Sequence, residues 1–172
     1  MVPARPRVRG ALLALVARAL EGLDAMRVAE GRRLREELER ALEAVDGAAK
    51  GIEQRAEETR EPRYAALLER LRALAGELGL EEGRLYQEVV RSVDRHDVAE
   101  EIQRLRSHAA MARELLAAED APAGKRLDFL AQELMREANT IGSKVADAVQ
   151  VQAVVGLKAE IERLREQVQN VE

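Results

Sequence analysis

The sequence contains no cysteine and no tryptophan, and only one phenylalanine and two tyrosines occur among its 172 residues. Without cysteine, neither disulfides nor thiolate metal ligands can form. Aromatic side chains usually supply much of the buried area of a compact globule, so their scarcity favours thin helical packing or assembly with other chains. The apolar run at residues 11–20 is shorter than the roughly 20 residues that span a bilayer, and Arg18 interrupts it. We therefore expect no membrane partner.

The residues that are abundant point to long helices. Hydrophobic residues make up 47% of the chain, mainly alanine, leucine and valine, and charged residues make up 35%. Such a composition is typical of long helices or coiled coils. The net charge is −4, and arginine alternates with glutamate instead of forming the basic stripe of a nucleic-acid-binding protein. Charge alone thus gives no support for RNA or DNA as a partner.

Helical periodicity extends over most of the chain. Apolar residues recur every three to five positions from Gly10 to Glu61, which predicts one long helix. Pro62 is predicted to end it and to begin a second helix, because the residue before a proline disfavours the α region. Turns are predicted at residues 76–83 and 117–124, and the last unit, from 125 to the end, is predicted to be mostly helical. No segment reads as a strand.

The predicted fold is all-α, with long antiparallel helices forming an extended helical bundle. We divide it into residues 1–80, a long N-terminal helix with a helical hairpin, and residues 81–172, a C-terminal helical domain. Helices of this length are stabilised mainly by packing of their apolar faces. Self-association is therefore expected.

A polar stripe borders the apolar face of the predicted helix after residue 97. Asp97 is followed by Glu101, Arg104 and His108 at offsets of four, seven and eleven residues, which places all four on one side. The carboxylates could bind a divalent cation, and His108 could act as a general base. The alternative is a structural stripe, since acid–base pairs three or four residues apart commonly stabilise exposed helices.

Residues 124–144 raise a second question. After a regular apolar rhythm, the segment contains Asn139, Gly142 and Ser143, which lower helix propensity. Polar groups follow both flanks of its apolar face, with Gln132 and Asn139 on one flank. Two interpretations remain open: the polar groups satisfy each other across a subunit interface that Gly142 lets approach closely, or they line a substrate groove.

Three segments carry a resemblance to a known family. They are "DVAEEIQRLRSH" (97–108), "GKRLDFLAQELMREANTIGSK" (124–144) and "LKAEIERLREQVQNVE" (157–172). In order and in spacing they resemble the C-terminal signatures of the bacterial YicC family. Met135 and Val145 depart from the family pattern, and "MVPARPRVRG" does not resemble the N-terminal segment of its members. The resemblance therefore covers the C-terminal portion only.

The resemblance implies a cytoplasmic, oligomeric endoribonuclease, with a hexamer expected, that hydrolyses single-stranded RNA with a divalent metal, Mn²⁺ or Mg²⁺. DNA is not an expected substrate. The implied catalytic residues are His108, Glu101, Glu133 and Glu137. The implied metal ligands are Asp97, Glu101, Asp128 and Glu133. The implied RNA-binding residues are Arg104, Arg136, Asn139, Ser143 and Lys144.

Two other functions remain open for this chain. A non-catalytic RNA-binding or adaptor protein of RNA decay could use the same polar surface. A C-terminal oligomerisation fragment that is inactive alone would also carry the same three segments.

Overall fold

The structure, a computed structural model, describes residues 6–78, 82–118 and 123–171, and these are helical apart from short connections and ends. No strand occurs in those ranges, which confirms the all-α prediction. The centres of the two predicted turns lie outside the described residues. Among the described helices, none offers an apolar stretch suited to crossing a membrane. The helices are α1 (Pro6–Leu78), α2 (Glu82–Arg95), α3 (Ala99–Ala117), α4 (Gly124–Lys144) and α5 (Ala148–Val168).

The prediction that Pro62 ends the first helix is wrong, because α1 continues through it to Leu78. A proline inside a helix removes one backbone hydrogen bond and leaves the carbonyl four residues earlier without its donor. That carbonyl belongs to Glu58, and both Glu58 and Pro62 are exposed. Water can therefore solvate the carbonyl, so the proline is tolerated within a continuous helix.

Contacts divide the chain into two units, residues 1–37 and residues 38–172. The described part of the first unit, residues 6–37, is a segment of α1 alone, and its large apolar side chains from Val8 to Val28 are exposed. Every described side chain that is buried belongs to the second unit. The hydrophobic core therefore lies within residues 38–172.

The core residues of the second unit recur in alternating steps of three and four. This spacing keeps one narrow apolar seam on each helix, as in the knobs-into-holes packing of helical bundles. The seams consist of Leu38, Leu42, Val45, Ala49 and Ile52 on α1; Val98, just before α3, with Ile102, Leu105, Ala109 and Ala112 on α3; Leu127, Ala131, Leu134, Ala138 and Ile141 on α4; and Val154, Leu157, Ile161, Leu164 and Val168 on α5.

Two ion pairs fix the antiparallel register of α1 and α3. Arg106 donates to both carboxylate oxygens of Glu53, at 3.0 and 2.7 Å, and Arg113 donates to Asp46 at 2.5 Å. Glu53 lies seven residues after Asp46 on α1, whereas its partner Arg106 lies seven residues before Arg113 on α3, so the two helices run in opposite directions. The hydrogen bond from Arg106 lowers the pKa of Glu53 below its ordinary value. The pair therefore stabilises the fold above that ordinary pKa, and its contribution is lost as the pH falls through the lowered value.

The last unit is mostly helical, as predicted, and one break divides it into two helices. Helix α4 ends at Lys144, and α5 begins at Ala148 after an extended connection. Asp147 precedes α5, and its carboxylate accepts a hydrogen bond of 2.8 Å from Arg55 on α1, which lowers the pKa of Asp147. Just before the break, a Cβ on Gly142 would lie 3.2 Å from Val154 on α5. The close neighbour of Gly142 is thus a helix of the same chain.

The close approach of the chain end to Gly124, at the start of α4, allows a test of the packing. A Cβ on Gly124 would overlap the backbone carbonyl oxygen of Val171, whereas a Cβ on Gly51, exposed in α1, meets nothing within 4 Å. Gly124→Ala should lower the free energy of unfolding by about 1–3 kcal/mol through overpacking. Gly51→Ala should raise it by about 0.5–1 kcal/mol through helix propensity. Chemical denaturation followed by circular dichroism measures both, and equal effects of the two substitutions would contradict the packing.

Candidate functional site

Two carboxylates are buried between α3 and α4. The side chains of Glu101 on α3 and Glu137 on α4 are 4% and 8% exposed. Burying a carboxylate is unfavourable unless cations and hydrogen bonds compensate for its lost hydration. The surroundings of these two groups therefore decide what this part of the molecule can do.

Arg104 and Lys144 provide the compensation. The guanidinium of Arg104 donates to Glu137 at 3.0 Å and to Glu101 at 3.1 Å. The ammonium of Lys144 donates to both oxygens of Glu101 at 3.0 Å. The hydrogen bond between Arg104 and Glu137 raises the pKa of Arg104, so the guanidinium stays charged. We call these four residues, Glu101, Arg104, Glu137 and Lys144, the buried ion network.

The remaining polar groups at this end of α3 support the network. Lys144 also donates to the backbone carbonyl of Asp97 at 2.8 Å, and Arg104 donates to the exposed Glu100 at 2.5 Å. The carboxylate of Asp97 instead accepts from the backbone N–H of Ala99 at 2.9 Å, in the first turn of α3. Asp97 therefore orders the start of the helix. The chemistry of the network is mutual neutralisation, which leaves Arg104 and Lys144 little capacity for a phosphate.

His108 and Glu133 lie one turn further along the same interface. Helices α3 and α4 are antiparallel, so four residues forward from Arg104 and four back from Glu137 reach the same level. His108 is half-buried, and its buried Nδ1 has no hydrogen-bond partner among the described residues. Glu133 is 24% exposed and lies 3.8 Å from Arg136. This pair combines an unused imidazole with a carboxylate that solvent can reach.

The predicted metal ligands are spread over different surfaces of the chain. Asp128 accepts from Gln132 at 2.8 Å, and its other oxygen lies 3.7 Å from Arg165 on α5, away from α3. Glu101 is already neutralised by two cations. Among the described residues, no three histidine, aspartate or glutamate side chains come together to hold a metal ion. The side chains of one chain thus do not fit the predicted ligand set, and the divalent metal stays a prediction.

A second polar surface lies on the outward side of α4. Phe129 is 59% exposed although it is the only phenylalanine of the chain. Arg136 is 75% exposed, and the Asn139 side chain has no hydrogen-bond partner among the described residues. We call this surface the α4 outward stripe; its members, in steps of four and three, are Lys125, Phe129, Gln132, Arg136, Asn139 and Ser143.

The structure separates the five residues that were predicted to bind RNA. Arg136, Asn139 and Ser143 lie on the α4 outward stripe, whereas Arg104 and Lys144 belong to the buried ion network. The hydroxyl of Ser143 donates to the carbonyl of Thr140 at 2.8 Å in the last turn of α4. Sequence reasoning missed Phe129, although an aromatic residue at an outward position in a chain with so few aromatics was a usable signal.

The buried ion network predicts an asymmetric response to mutation. Arg104→Met removes the charge that neutralises Glu137 and should clearly lower the free energy of unfolding, because the buried carboxylate of Glu137 is left without its cation. Arg136→Met, on the exposed stripe, should change it by less than about 0.5 kcal/mol. Adding Glu137→Met to Arg104→Met should restore most of the loss, because no unpaired buried charge remains. Urea denaturation of all three variants tests this, and a mild effect of Arg104→Met would show that the network is not desolvated.

Comparisons with known proteins place the chain in a family. Residues 52–172 match the family described as "Endoribonuclease YicC-like, C-terminal". The chain is 36% identical over 155 residues to the protein named "Probable endoribonuclease YicC" of Clostridioides difficile (strain 630), an alignment that covers 90% of this chain and 53% of the relative. It is 34% identical over 148 residues to the protein of the same name from Haemophilus influenzae, covering 86% of this chain and 50% of the relative.

The chain thus spans about half the length of the curated relatives that it matches. The matched range contains the whole of α2 to α5 and the part of α1 from residue 52 onward, with the buried ion network and the α4 outward stripe. With the match to residues 52–172, these similarities show that the chain belongs to the YicC-like family, of which it carries the C-terminal part.

Proposed function

We propose that the chain is the helical part of an endoribonuclease and that the α4 outward stripe contacts single-stranded RNA. The relatives are named as probable endoribonucleases. The observation that supports the RNA contact is the composition of the stripe: an exposed phenylalanine, a cation and amide groups on one helix face. Single-stranded RNA is recognised by stacking of its bases on aromatic rings and by hydrogen bonds to their edges. Phe129, Gln132, Arg136 and Asn139 offer these interactions.

The cleavage step is proposed at His108 and Glu133. In phosphodiester hydrolysis a general base accepts a proton from the attacking water, and imidazole suits this role near neutral pH. His108 has an unused ring nitrogen, and Glu133 at the same level of the α3–α4 interface can orient it. The buried ion network holds the two helices in register and so positions this pair. A divalent metal and a cytoplasmic location stay predictions.

Cleavage of a labelled single-stranded RNA by the purified chain tests the proposal. The unaltered chain should cut it in preference to duplex RNA and single-stranded DNA. His108→Gln and Glu133→Gln should lower the cleavage rate at least about a hundredfold, the contribution of a general base. Glu162→Gln, an exposed carboxylate on α5, should not change it. Parallel reactions with Mn²⁺, Mg²⁺ and EDTA test the metal.

The outcomes separate the alternative functions. Binding without cleavage would indicate an adaptor of RNA decay. Neither binding nor cleavage would indicate an oligomerisation fragment that is inactive alone. Cleavage that persists in EDTA would contradict the predicted metal dependence but would still support an endoribonuclease.

We also propose that the chain acts as a homo-oligomer, with a hexamer expected from the family resemblance. The first unit exposes a row of large apolar side chains, of which Leu20 and Leu23 are 56% and 49% exposed. A contiguous exposed apolar surface is typical of an interaction site. No element of residues 6–37 covers this row, because the described part of that unit is a helix alone. A second copy of the chain is the proposed cover.

Light scattering after size exclusion tests the assembly. The double variant Leu20→Glu/Leu23→Glu should lower the molar mass, because two charges would be desolvated in the interface. Ala25→Glu lies on the opposite side of the helix, at 100° per residue, and should leave the mass unchanged. A monomeric unaltered chain would contradict the proposal.

A further inference from the structure

A groove on the second unit lies apart from the α4 outward stripe. It runs between α1 and the junction of α2 with α3, and its volume is about 250 Å³. Drug-sized ligands occupy pockets of roughly 300–1,000 Å³, so this groove suits a smaller group such as one nucleobase. Its apolar surface comes from Ala56, Val93, Val98 and Ile102.

An unsatisfied polar group lies in this groove. Gln150, in the first turn of α5, lines it and is 2% exposed, and the side-chain oxygen Oε1 is buried with no hydrogen-bond partner among the described residues. Leaving a buried amide oxygen unpaired costs about 1–3 kcal/mol, so such groups usually have a ligand or a structural partner. Gln150 therefore calls for a hydrogen-bond donor from outside the chain.

Two arginines provide positive charge at the same groove. Arg60 and Arg63, one turn apart on α1, line it, and neither forms an ion pair or a hydrogen bond with the described residues. Arg104 of the buried ion network, by contrast, is neutralised by glutamates. Arg60 and Arg63 are therefore available for an anion, and an arginine guanidinium matches the geometry of a phosphate.

The remaining polar groups of the groove are mainly acceptors. Glu53 is engaged by Arg106, and Asp97 accepts from Ala99. Glu57 is exposed and has no partner among the described residues. The Nδ1 atom of His96 lies 2.7 Å from the carbonyl of Ser92 and must donate to it, because a carbonyl can only accept. A ligand must therefore bring hydrogen-bond donors together with negative charge.

From this chemistry we infer that the groove binds one nucleotide of a single-stranded RNA whose base carries an exocyclic amino group. The amino group donates to Gln150 Oε1, the base lies on the apolar surface, and Arg60 and Arg63 contact the adjoining phosphates. The inference rests on the proposed function, because it assigns a second contact to the same substrate. It places that contact on α1 and α5 instead of α4.

The experiment measures the binding of fluorescently labelled oligoadenylate and oligouridylate by anisotropy at several salt concentrations. Arg60→Gln/Arg63→Gln should weaken the binding of both about tenfold. It should also reduce the slope of log affinity against log salt by about 1.4, since each phosphate contact on a single strand contributes about 0.7. Arg70→Gln, an exposed arginine on α1 outside the groove, is the matched control and should have little effect.

Gln150→Met separates recognition from structure. Methionine has nearly the shape of glutamine but no amide, so thermal stability should hold or rise because no protein hydrogen bond is lost. The affinity for oligoadenylate should fall about tenfold, whereas that for oligouridylate, which has no exocyclic amino group, should change less than about threefold. An equal loss for both RNAs, or no loss, would overturn the inference, as would a double-arginine variant that behaves like Arg70→Gln.

Adenosine 5′-monophosphate, a base with an amino group and one phosphate, tests the groove independently of the α4 outward stripe. It should shift the backbone NMR signals of residues 56–63 and 150, and it should still do so in Phe129→Ala. If the groove variants keep normal RNA affinity while Phe129→Ala loses it, the inference fails and the proposed function stands. If the unaltered chain binds neither probe, both fail. A changed molar mass of the groove variants with unchanged RNA affinity would assign the groove to a protein partner.

Discussion

The neutralisation of two buried carboxylates constrains the whole second unit. Glu101 and Glu137 can lie between α3 and α4 only because Arg104 and Lys144 approach them from within the chain. Long cationic side chains reach their partners only when the helices keep one register and one rotation about their axes. That rotation turns the other side of α4, with Phe129, to the outside. The exposed polar surface is thus a consequence of what is buried behind it.

Burying charged groups is energetically unfavourable, and the buried and the exposed charged residues of this chain therefore have different roles. Buried ion pairs rarely stabilise a fold more than apolar residues of the same volume would, but removing one partner is strongly unfavourable. They therefore specify a register better than they add stability. The cations of the network are already bound to carboxylates; Arg104, for example, donates to Glu100, Glu101 and Glu137. Among the described residues, Arg60 and Arg63 on α1 have no such partner and Arg136 is exposed, and the RNA contacts are proposed for these cations.

Sequence reasoning predicted the helices from apolar periodicity, and it grouped Glu101 and Arg104 correctly because helical geometry is local. It was wrong at Pro62, since the carbonyl that loses its donor there is on an exposed part of α1, where water can take the place of the lost hydrogen bond. It also missed the break before α5, although Asp147 followed three residues later by Gln150 is a capping-box pattern. The ion pair between Arg55 and Asp147 could not be predicted, because the two residues are 92 positions apart in the sequence.

The helix-weakening residues near Ser143 have a simpler explanation than either predicted one. They occupy the last turns of α4, where the helix is about to end and a lowered propensity costs little. Gly142 lets α5 return closely, and the hydroxyl of Ser143 bonds a carbonyl at the helix end. Only Asn139 keeps an amide that the described chain does not use. Residues that weaken a helix can therefore serve either the end of that helix or the binding of a partner. In α4, Gly142 and Ser143 serve the end of the helix, and only Asn139 has an amide left for binding among the described residues.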